Sequence, residues 1–191
     1  MAWGKRQLHA SDTRTDEELI TAHGNGDPQA FTILIERHLT YLWSLAYRTT
    51  GNPDDAADAL QDALLSAHRT AHRFRADAKV ISWLHRIVLN SCFDRIRRTK
   101  AQKAISLPGW DVPELMDVTD HTAAVDLSVS IGRALDVLTA DQRAAIVAVD
   151  IEGYSVADAA KLLGVAEGTI KSRCARGRLR LAKALGHLRE N

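Results

Sequence analysis

Apolar residues recur at helical spacing along almost the whole sequence, and no segment alternates apolar and polar residues as a half-buried strand would. Leu84, Val88, Cys92 and Ile96, for example, are four residues apart, so they would share one face of a helix. The pattern therefore predicts an all-α protein. A chain of 191 residues has room for two small helical domains, each burying a modest core.

The N-terminal part of the sequence predicts a disordered segment, residues 1–11, followed by a four-helix domain, residues 12–100. Thr15–Glu18 (TDEE) has the residues of a capping box that opens a first short helix. Pro28 suits the first turn of a second, long helix, and Gly51 ends that helix. Two more helices, the last carrying the four-residue spacing described above, would complete the domain.

A linker and a second helical domain are predicted in the remainder of the chain. Residues 101–125 contain two prolines, a glycine and an excess of acidic residues, and they lack a helical period. In residues 126–191 a first helix ends near Leu138, and TADQ at 139–142 forms another capping box. A short helix, a tight turn containing Gly164 and a final helix follow, which is the layout of a helix-turn-helix.

Charge is segregated along the sequence, although the formal net charge is only +1. Residues 69–103 contain ten Lys and Arg against two Asp, and residues 167–191 contain seven against two Glu. Residues 54–62 and 111–126 contain acidic residues and no Lys or Arg. Two basic blocks separated by acidic ones favour a protein that contacts a polyanion at two places and another partner between them. The alternative is a solvated surface whose charge has no such role.

The final helix is predicted to have one apolar face and one cationic face. The apolar stripe recurs at three- and four-residue intervals and consists of Ile170, Cys174, Gly177, Leu181 and Leu185. The opposite face would enter a DNA major groove, where arginine pairs with guanine and hydroxyl groups reach bases or phosphates. Lys171 and Arg178 flank this face as expected phosphate contacts. The outward residues are Thr169, Ser172, Arg173, Arg176 and Arg180.

The positions of the two cysteines and the short apolar runs disfavour a redox role, a zinc site and a membrane span. Cys92 and Cys174 fall on predicted buried stripes, which favours small core residues over a redox role, and their spacing fits no zinc site. The longest apolar run, Ala144–Val149, has six residues, whereas a membrane span needs about 18. The N-terminal sequence lacks the apolar segment of a signal peptide, so we expect a cytoplasmic protein.

Three segments resemble the extracytoplasmic-function (ECF) group of bacterial sigma factors. RFRADAKVISWLHRIVLNSCFDRIRR (73–98) is similar to their promoter-melting region, and DDAADALQDALL (54–65) to their polymerase-docking helix. The segment from LTADQ to LAKAL (138–185) is similar to their C-terminal domain. The cysteine-bearing variants LNSCFDRIRR and KSRCARGRLRLA are most similar to the sigma-M group of actinobacteria.

The resemblance implies a stress-response sigma factor that is not an enzyme, needs no cofactor or metal and is not an obligate homo-oligomer. Its N-terminal domain, sigma region 2, would dock on the clamp coiled coil of the largest RNA polymerase subunit and open the −10 element. Its C-terminal domain, sigma region 4, would bind the −35 element and a flap on the second-largest subunit. The acidic linker would thread the active-site cleft, although a merely solvated linker explains its composition as well. An anti-sigma factor would hold activity off.

The same resemblance assigns residues to each surface. The −35 contacts would be Thr169, Lys171, Ser172, Arg173, Arg176 and Arg180. The −10 and melting contacts would be Arg73, Phe74, Arg75, Lys79, Trp83, Arg86, Asn90, Asp94, Arg97 and Arg98, with Arg95 gripping phosphate beside them. Polymerase docking would use an acidic helix face made of Asp54, Asp58, Gln61 and Asp62. Ala57 stands where the family usually has glutamate, which weakens the contact expected there. Trp83 fits either a core residue or a platform for an extruded base.

Two other classes of function remain as alternatives. A stand-alone helix-turn-helix repressor would account for the C-terminal half, but it leaves the second basic block and the acidic face unexplained, and it normally needs dimer symmetry. A metal-dependent enzyme would rest on His68 and His72, which are four residues apart. The residues between them do not form an HExxH motif, which disfavours that interpretation.

Overall fold

The computed structural model describes residues 12–74, 79–105 and 134–186. Every segment in these ranges with regular structure is helical, so the predicted all-α class is confirmed. The N-terminal domain contains α1 (Asp16–Gly24), α2 (Ala30–Thr50), α3 (Pro53–Thr70), a single 3₁₀ turn (Ala71–Arg73) and α4 (Val80–Ile105). Helix α4 therefore continues five residues past residue 100, into the range predicted as linker.

Local side-chain hydrogen bonds explain where the first helices begin. The Thr15 hydroxyl accepts a bond from the Glu18 backbone and the Glu18 carboxylate accepts one from the Thr15 backbone, so the predicted capping box is confirmed. Pro28 was expected within the first turn of α2, but that helix begins at Ala30. The Asp27 carboxylate accepts the backbone N–H of Gln29 at 2.9 Å. This bond holds residues 27–29 in a turn ahead of the helix.

The sharp reversal between α2 and α3 follows from three consecutive residues. Gly51 ends α2 in the left-handed region, with φ of 73°. The Asn52 side chain then accepts the backbone N–H groups of Asp54 and Asp55, and Pro53 occupies the first position of α3. These caps turn α3 back along α2, so that α2, α3 and α4 pack against one another.

The core of the N-terminal domain is built from the stripes that the spacing predicted. Leu84, Val88 and Cys92 of α4 are buried, with Ile96 packed at the edge of the core. Helix α3 contributes mainly small side chains, which let α2 and α4 approach it closely. Its buried residues are Ala56, Ala59, Leu60, Ala63 and Ala67.

The C-terminal domain contains α5 (Ala140–Ile146), a π-helical turn (Val147–Ile151) that continues it, α6 (Val156–Leu163) and α7 (Glu167–Gly186). Thr139 and Gln142 form the predicted second capping box. Gly164 closes α6 with φ of 63°, and α7 starts three residues later, so the helix-turn-helix is confirmed. The expected disordered segment 1–11, most of the expected linker, and the predicted helix up to residue 133 lie outside the described residues.

The two domains touch each other through their helices. Helix α4 contacts α6, and α2 contacts α5. None of the helices within the described ranges has the length and hydropathy needed to cross a membrane.

A glycine allows α7 to lie very close to α5. Ile170 and Cys174 are buried on the stripe that faces α5, as predicted. A Cβ added at Gly177 would lie 2.9 Å from Cγ1 of Ile146, which is inside van der Waals contact. The stripe stops near Leu181, because Leu185 is 41% exposed. The prediction was wrong for Leu185, which lies beyond the part of the stripe that packs on the core.

We predict that Gly177→Ala lowers the free energy of unfolding by about 1–2 kcal/mol, because the steric cost against Ile146 exceeds the gain in helix propensity. Gly168→Ala is the matched control on the same helix, since a Cβ there meets nothing within 4 Å. Urea denaturation followed by circular dichroism measures both variants. Equal stability of the two variants would contradict the close packing of α7 on α5.

Candidate nucleic-acid interface

Helix α7 presents a polar face to solvent opposite its buried stripe. Lys171, Arg176 and Arg180 are exposed along it, and Thr169 and Ser172 are half-buried near its start. The Arg176 guanidinium donates to the Ser172 carbonyl and hydroxyl oxygens, both at 3.2 Å, so it lies along the helix surface. Five of the six predicted −35 residues therefore share an accessible region that begins at the N-terminal end of the helix, where major-groove contacts are made.

Arg173 is placed differently from the wheel prediction. Its side chain is 11% exposed and pairs with the Asp141 carboxylate in the first turn of α5. The wheel shows only the angle around α7, whereas this contact depends on how α5 packs beside it. Arg178, expected to flank the groove, similarly donates to both carboxylate oxygens of Asp150, and this contact raises the pKa of the Arg178 guanidinium.

A second polar face runs along α4. Arg86, Asn90 and Arg97 are exposed on it, and the Arg97 guanidinium bonds to the Asp94 carboxylate at 2.6 Å. With Trp83, these residues recur at three- and four-residue intervals and lie on one side of the helix. The structure thus brings five of the six predicted −10 residues of α4, all except Arg98, together on one surface, the α4 face.

The surroundings of Trp83 fit both roles that the sequence allowed, a core residue and a platform for an extruded base. It is half-buried, packs at the edge of the core and meets Phe74 edge to face, with ring centroids 5.5 Å apart. Arg73 and Lys79 are exposed near this aromatic pair, and Arg75 lies outside the described residues. Phe74 and Trp83 are both partly accessible and lie beside cations, and single-stranded bases stack on aromatic rings in such surroundings.

The acidic face of α3 is also assembled as predicted. Asp54, Asp58, Gln61 and Asp62 are all exposed. Leu65, one turn further on the same side, is 47% exposed and was not predicted as part of this surface. An apolar residue continuing the i, i+4, i+7 series is the signal that would have identified it.

Arginines of α4 lie directly against the acidic residues of α3. Arg95 pairs with Asp55 at 2.7 Å and with Asp58 at 2.8 Å, and Arg98 pairs with Asp62 at 3.6 Å. The hydrogen bond to Asp55 raises the pKa of Arg95. The predicted docking acids and the predicted phosphate-binding cations are therefore neighbours. The sequence did not predict this pairing, because it depends on α3 and α4 packing side by side.

The two histidines considered as metal ligands have other contacts. The His68 ring packs against His23 and Phe31, with centroids 4.5 and 5.1 Å away. His72 accepts a hydrogen bond from Arg73 at 3.3 Å. In the described residues no group of three or more metal-ligating side chains comes together.

Both cysteines occupy the core positions that the spacing predicted. Cys92 and Cys174 are buried. Burial raises the pKa of the Cys92 thiol to about 12, and burial also raises the pKa of the Cys174 thiol. Cys174 Sγ lies 3.6 Å from the Ala145 carbonyl oxygen, between α7 and α5.

Comparison with known proteins identifies the class of this two-domain helical chain. Residues 34–102 match the family described as Sigma-70 region 2, and residues 128–181 match Sigma-70, region 4. Both regions occur in the order that the sequence predicted, so the protein is a member of the sigma-70 family.

Individual relatives narrow the class to one group. The chain is 54% identical over 175 residues to the ECF RNA polymerase sigma factor SigM of Mycobacterium tuberculosis, covering 92% of this chain and 87% of that protein. It is 34% identical to the ECF sigma factor SigE of Mycolicibacterium smegmatis, covering 91% of this chain and 69% of that protein. The chain belongs to the ECF sigma factors, and the predicted similarity to the sigma-M group is confirmed.

A solved structure of another sigma factor has a similar fold. The sigma factor RpoE of Bartonella quintana, crystallised in complex with the anti-sigma factor NepR, matches with a TM-score of 0.53 and 30% identity. The match covers 83% of this chain and 98% of that one.

We predict that neither thiol of the folded protein reacts with Ellman's reagent at pH 8. The raised pKa values keep both groups protonated there, and only the thiolate attacks. Both thiols should react once guanidinium chloride unfolds the chain. Cys92→Ser and Cys174→Ser variants would identify a thiol that reacts in the native state, which is the result that would support a redox role.

Proposed function

We propose that this ECF sigma factor binds core RNA polymerase through the acidic face of α3, engages and opens the −10 element with the α4 face, and recognises the −35 element with α7. The observation that carries the proposal is that one chain exposes three polar surfaces, an acidic face on α3 and basic faces on α4 and α7. A single-site DNA-binding protein has no use for the second basic surface or the acidic one.

The chemistry of each surface suits its proposed partner. Exposed carboxylates on α3 complement a basic surface of a large protein partner. The aromatic and polar groups of the α4 face can hold extruded bases while nearby arginines neutralise phosphates. Arg176 and Arg180 on α7 have the donors for guanine or phosphate in a major groove. The chain then has no catalytic role of its own; it supplies recognition and strand opening to the polymerase, in the cytoplasm.

Control by an anti-sigma factor is part of the proposal. The Bartonella quintana relative was crystallised with such a protein. By analogy, a protein that covers these surfaces would prevent polymerase and promoter binding. The stand-alone repressor remains the alternative, and it would bind a palindromic duplex strongly without polymerase.

We expect Arg176→Ala to weaken recognition of the −35 element by about 1–3 kcal/mol if this side chain contacts a base. Lys183→Ala removes one exposed positive charge from the last part of the same helix and serves as the matched control. In vitro transcription with core polymerase over a set of −35 sequences measures the effect. Unchanged promoter preference in Arg176→Ala would contradict a base-reading role.

We expect Asp62→Lys to reduce binding of core polymerase while circular dichroism stays unchanged, because the reversed charge meets a basic partner surface at an exposed position. The reversal also places a cation beside Arg98, and circular dichroism checks that this repulsion leaves the fold intact. Glu36→Lys, the same charge reversal at an exposed position on α2, controls for the change in net charge. Co-purification of each variant with core enzyme is the measurement. Normal recovery of Asp62→Lys with polymerase would exclude the acidic face as the docking site.

A further inference from the structure

The first turn of α5 lies against the cationic side of α7. The two helices are close because a Cβ added at Gly177 would lie only 3.7 Å from Cβ of Gln142. In this turn the Asp141 carboxylate accepts a bond from the Arg173 guanidinium. The next residue, Gln142, accepts one from Arg180. Two of the predicted −35 arginines are therefore held from a neighbouring helix.

Gln142 holds Arg180 with a side chain that is itself fixed. Gln142 is 8% exposed, and its Oε1 atom accepts the Thr139 backbone N–H at 3.4 Å as part of the capping box. The same oxygen accepts Nη1 of Arg180 at 3.1 Å. The amide thus anchors one end of the Arg180 guanidinium, while the residue stays exposed and keeps further N–H donors for a ligand.

Arg173 is held by a charged partner. Its side chain is 11% exposed and pairs with Asp141, and a bond between a guanidinium and a carboxylate fixes orientation as well as contributing energy. Asp141 also pairs with Lys100 of α4 at 3.2 Å. Arg173 and Arg180 are seven residues apart, so they lie on the same side of α7, about 10 Å apart along its axis.

Arg176 lies between these two residues and is held differently. In the described part of the chain its hydrogen bonds stay within α7, since it donates to the carbonyl and hydroxyl oxygens of Ser172, both at 3.2 Å. Arg176 is exposed, so acceptors on a base can replace these bonds without disturbing another helix. Arg173 and Arg180 cannot turn in the same way without losing their contacts with α5.

This difference matches the two kinds of contact that a DNA-reading helix makes. Phosphates recur at regular positions whatever the sequence, so a cation held at a fixed position suits them and sets the register of the helix. A base-reading side chain must reach into the groove and align its donors with one base edge. The contacts within the protein therefore divide the three arginines into two groups.

We propose that Asp141 and Gln142 are positioning residues for −35 recognition. They hold Arg173 and Arg180 as phosphate contacts, before and after Arg176 along α7, and Arg176 reads the base. The inference rests on the proposed role of α7 at the −35 element and adds to it a role for the first turn of α5.

Gln142 provides the cleaner test, because Asp141 also contacts Lys100. Gln142→Leu removes the acceptor for Arg180, and Gln142→Met serves in its place should the leucine variant not fold. Gln142→Glu keeps both the acceptor and a residue suited to the capping box. Thr139→Ala is the matched control, since it removes the other capping side chain of α5 and leaves Oε1 of Gln142 beside Arg180.

The measurement is the promoter affinity of full-length protein bound to core polymerase, over a set of −35 sequences and several salt concentrations. We expect Gln142→Leu to bind every sequence several-fold more weakly with the same order of preference. Gln142→Glu and Thr139→Ala should bind like the wild type. Arg180→Ala should weaken binding to all sequences and reduce the slope of log affinity against log salt by about 1. Gln142→Leu should have no further effect when combined with Arg180→Ala.

The combined variant separates positioning from a purely structural role. An equal loss from Gln142→Leu with and without Arg180 would overturn positioning, and so would an equal loss from Thr139→Ala. Normal affinity of Gln142→Leu beside a weakened Arg180→Ala would overturn it too and leave the proposed function intact. A changed order of preference in Arg180→Ala would overturn the phosphate assignment. Wild-type affinity and preference in both Arg176→Ala and Arg180→Ala would overturn the proposed role of α7, and the positioning with it.

Discussion

Burial of one apolar stripe on each helix determines what this chain can present to a partner. Once Leu84, Val88 and Cys92 face the core, the opposite side of α4 must carry Arg86, Asn90 and Arg97 outward. The stripes of α3 and α7 orient the acidic face and the predicted −35 residues in the same way. Each surface is therefore a consequence of core packing, and a change that shifts α7 against α5 displaces its outward residues as well.

Several of the cations proposed to contact DNA form ion pairs within the protein. Arg95 and Arg98 contact carboxylates of α3, and Arg173 contacts Asp141. The partly exposed pairs of Arg95 and Arg98 contribute about 0–1 kcal/mol each. Phosphates offer charge-assisted hydrogen bonds together with the release of condensed counterions, which makes them stronger partners. If Arg95 and Arg98 contact promoter phosphates as proposed, these pairs would hold the two cations in place beforehand without preventing their transfer to DNA, and the transfer would leave Asp58 and Asp62 for the polymerase.

Features that depend on a few neighbouring residues were predictable from the sequence, whereas features that depend on tertiary packing were not. Both capping boxes, the Gly51 and Gly164 helix ends and the buried cysteines follow from local chemistry and helical period. The exposure of Leu185, the pairing of Arg173 with Asp141 and the domain contact depend on which helices lie side by side. The start of α2 at Ala30 also depends on local chemistry. Predicting it required comparing the hydrogen bond of the Asp27 side chain with the preference of Pro28 for the first turn of a helix.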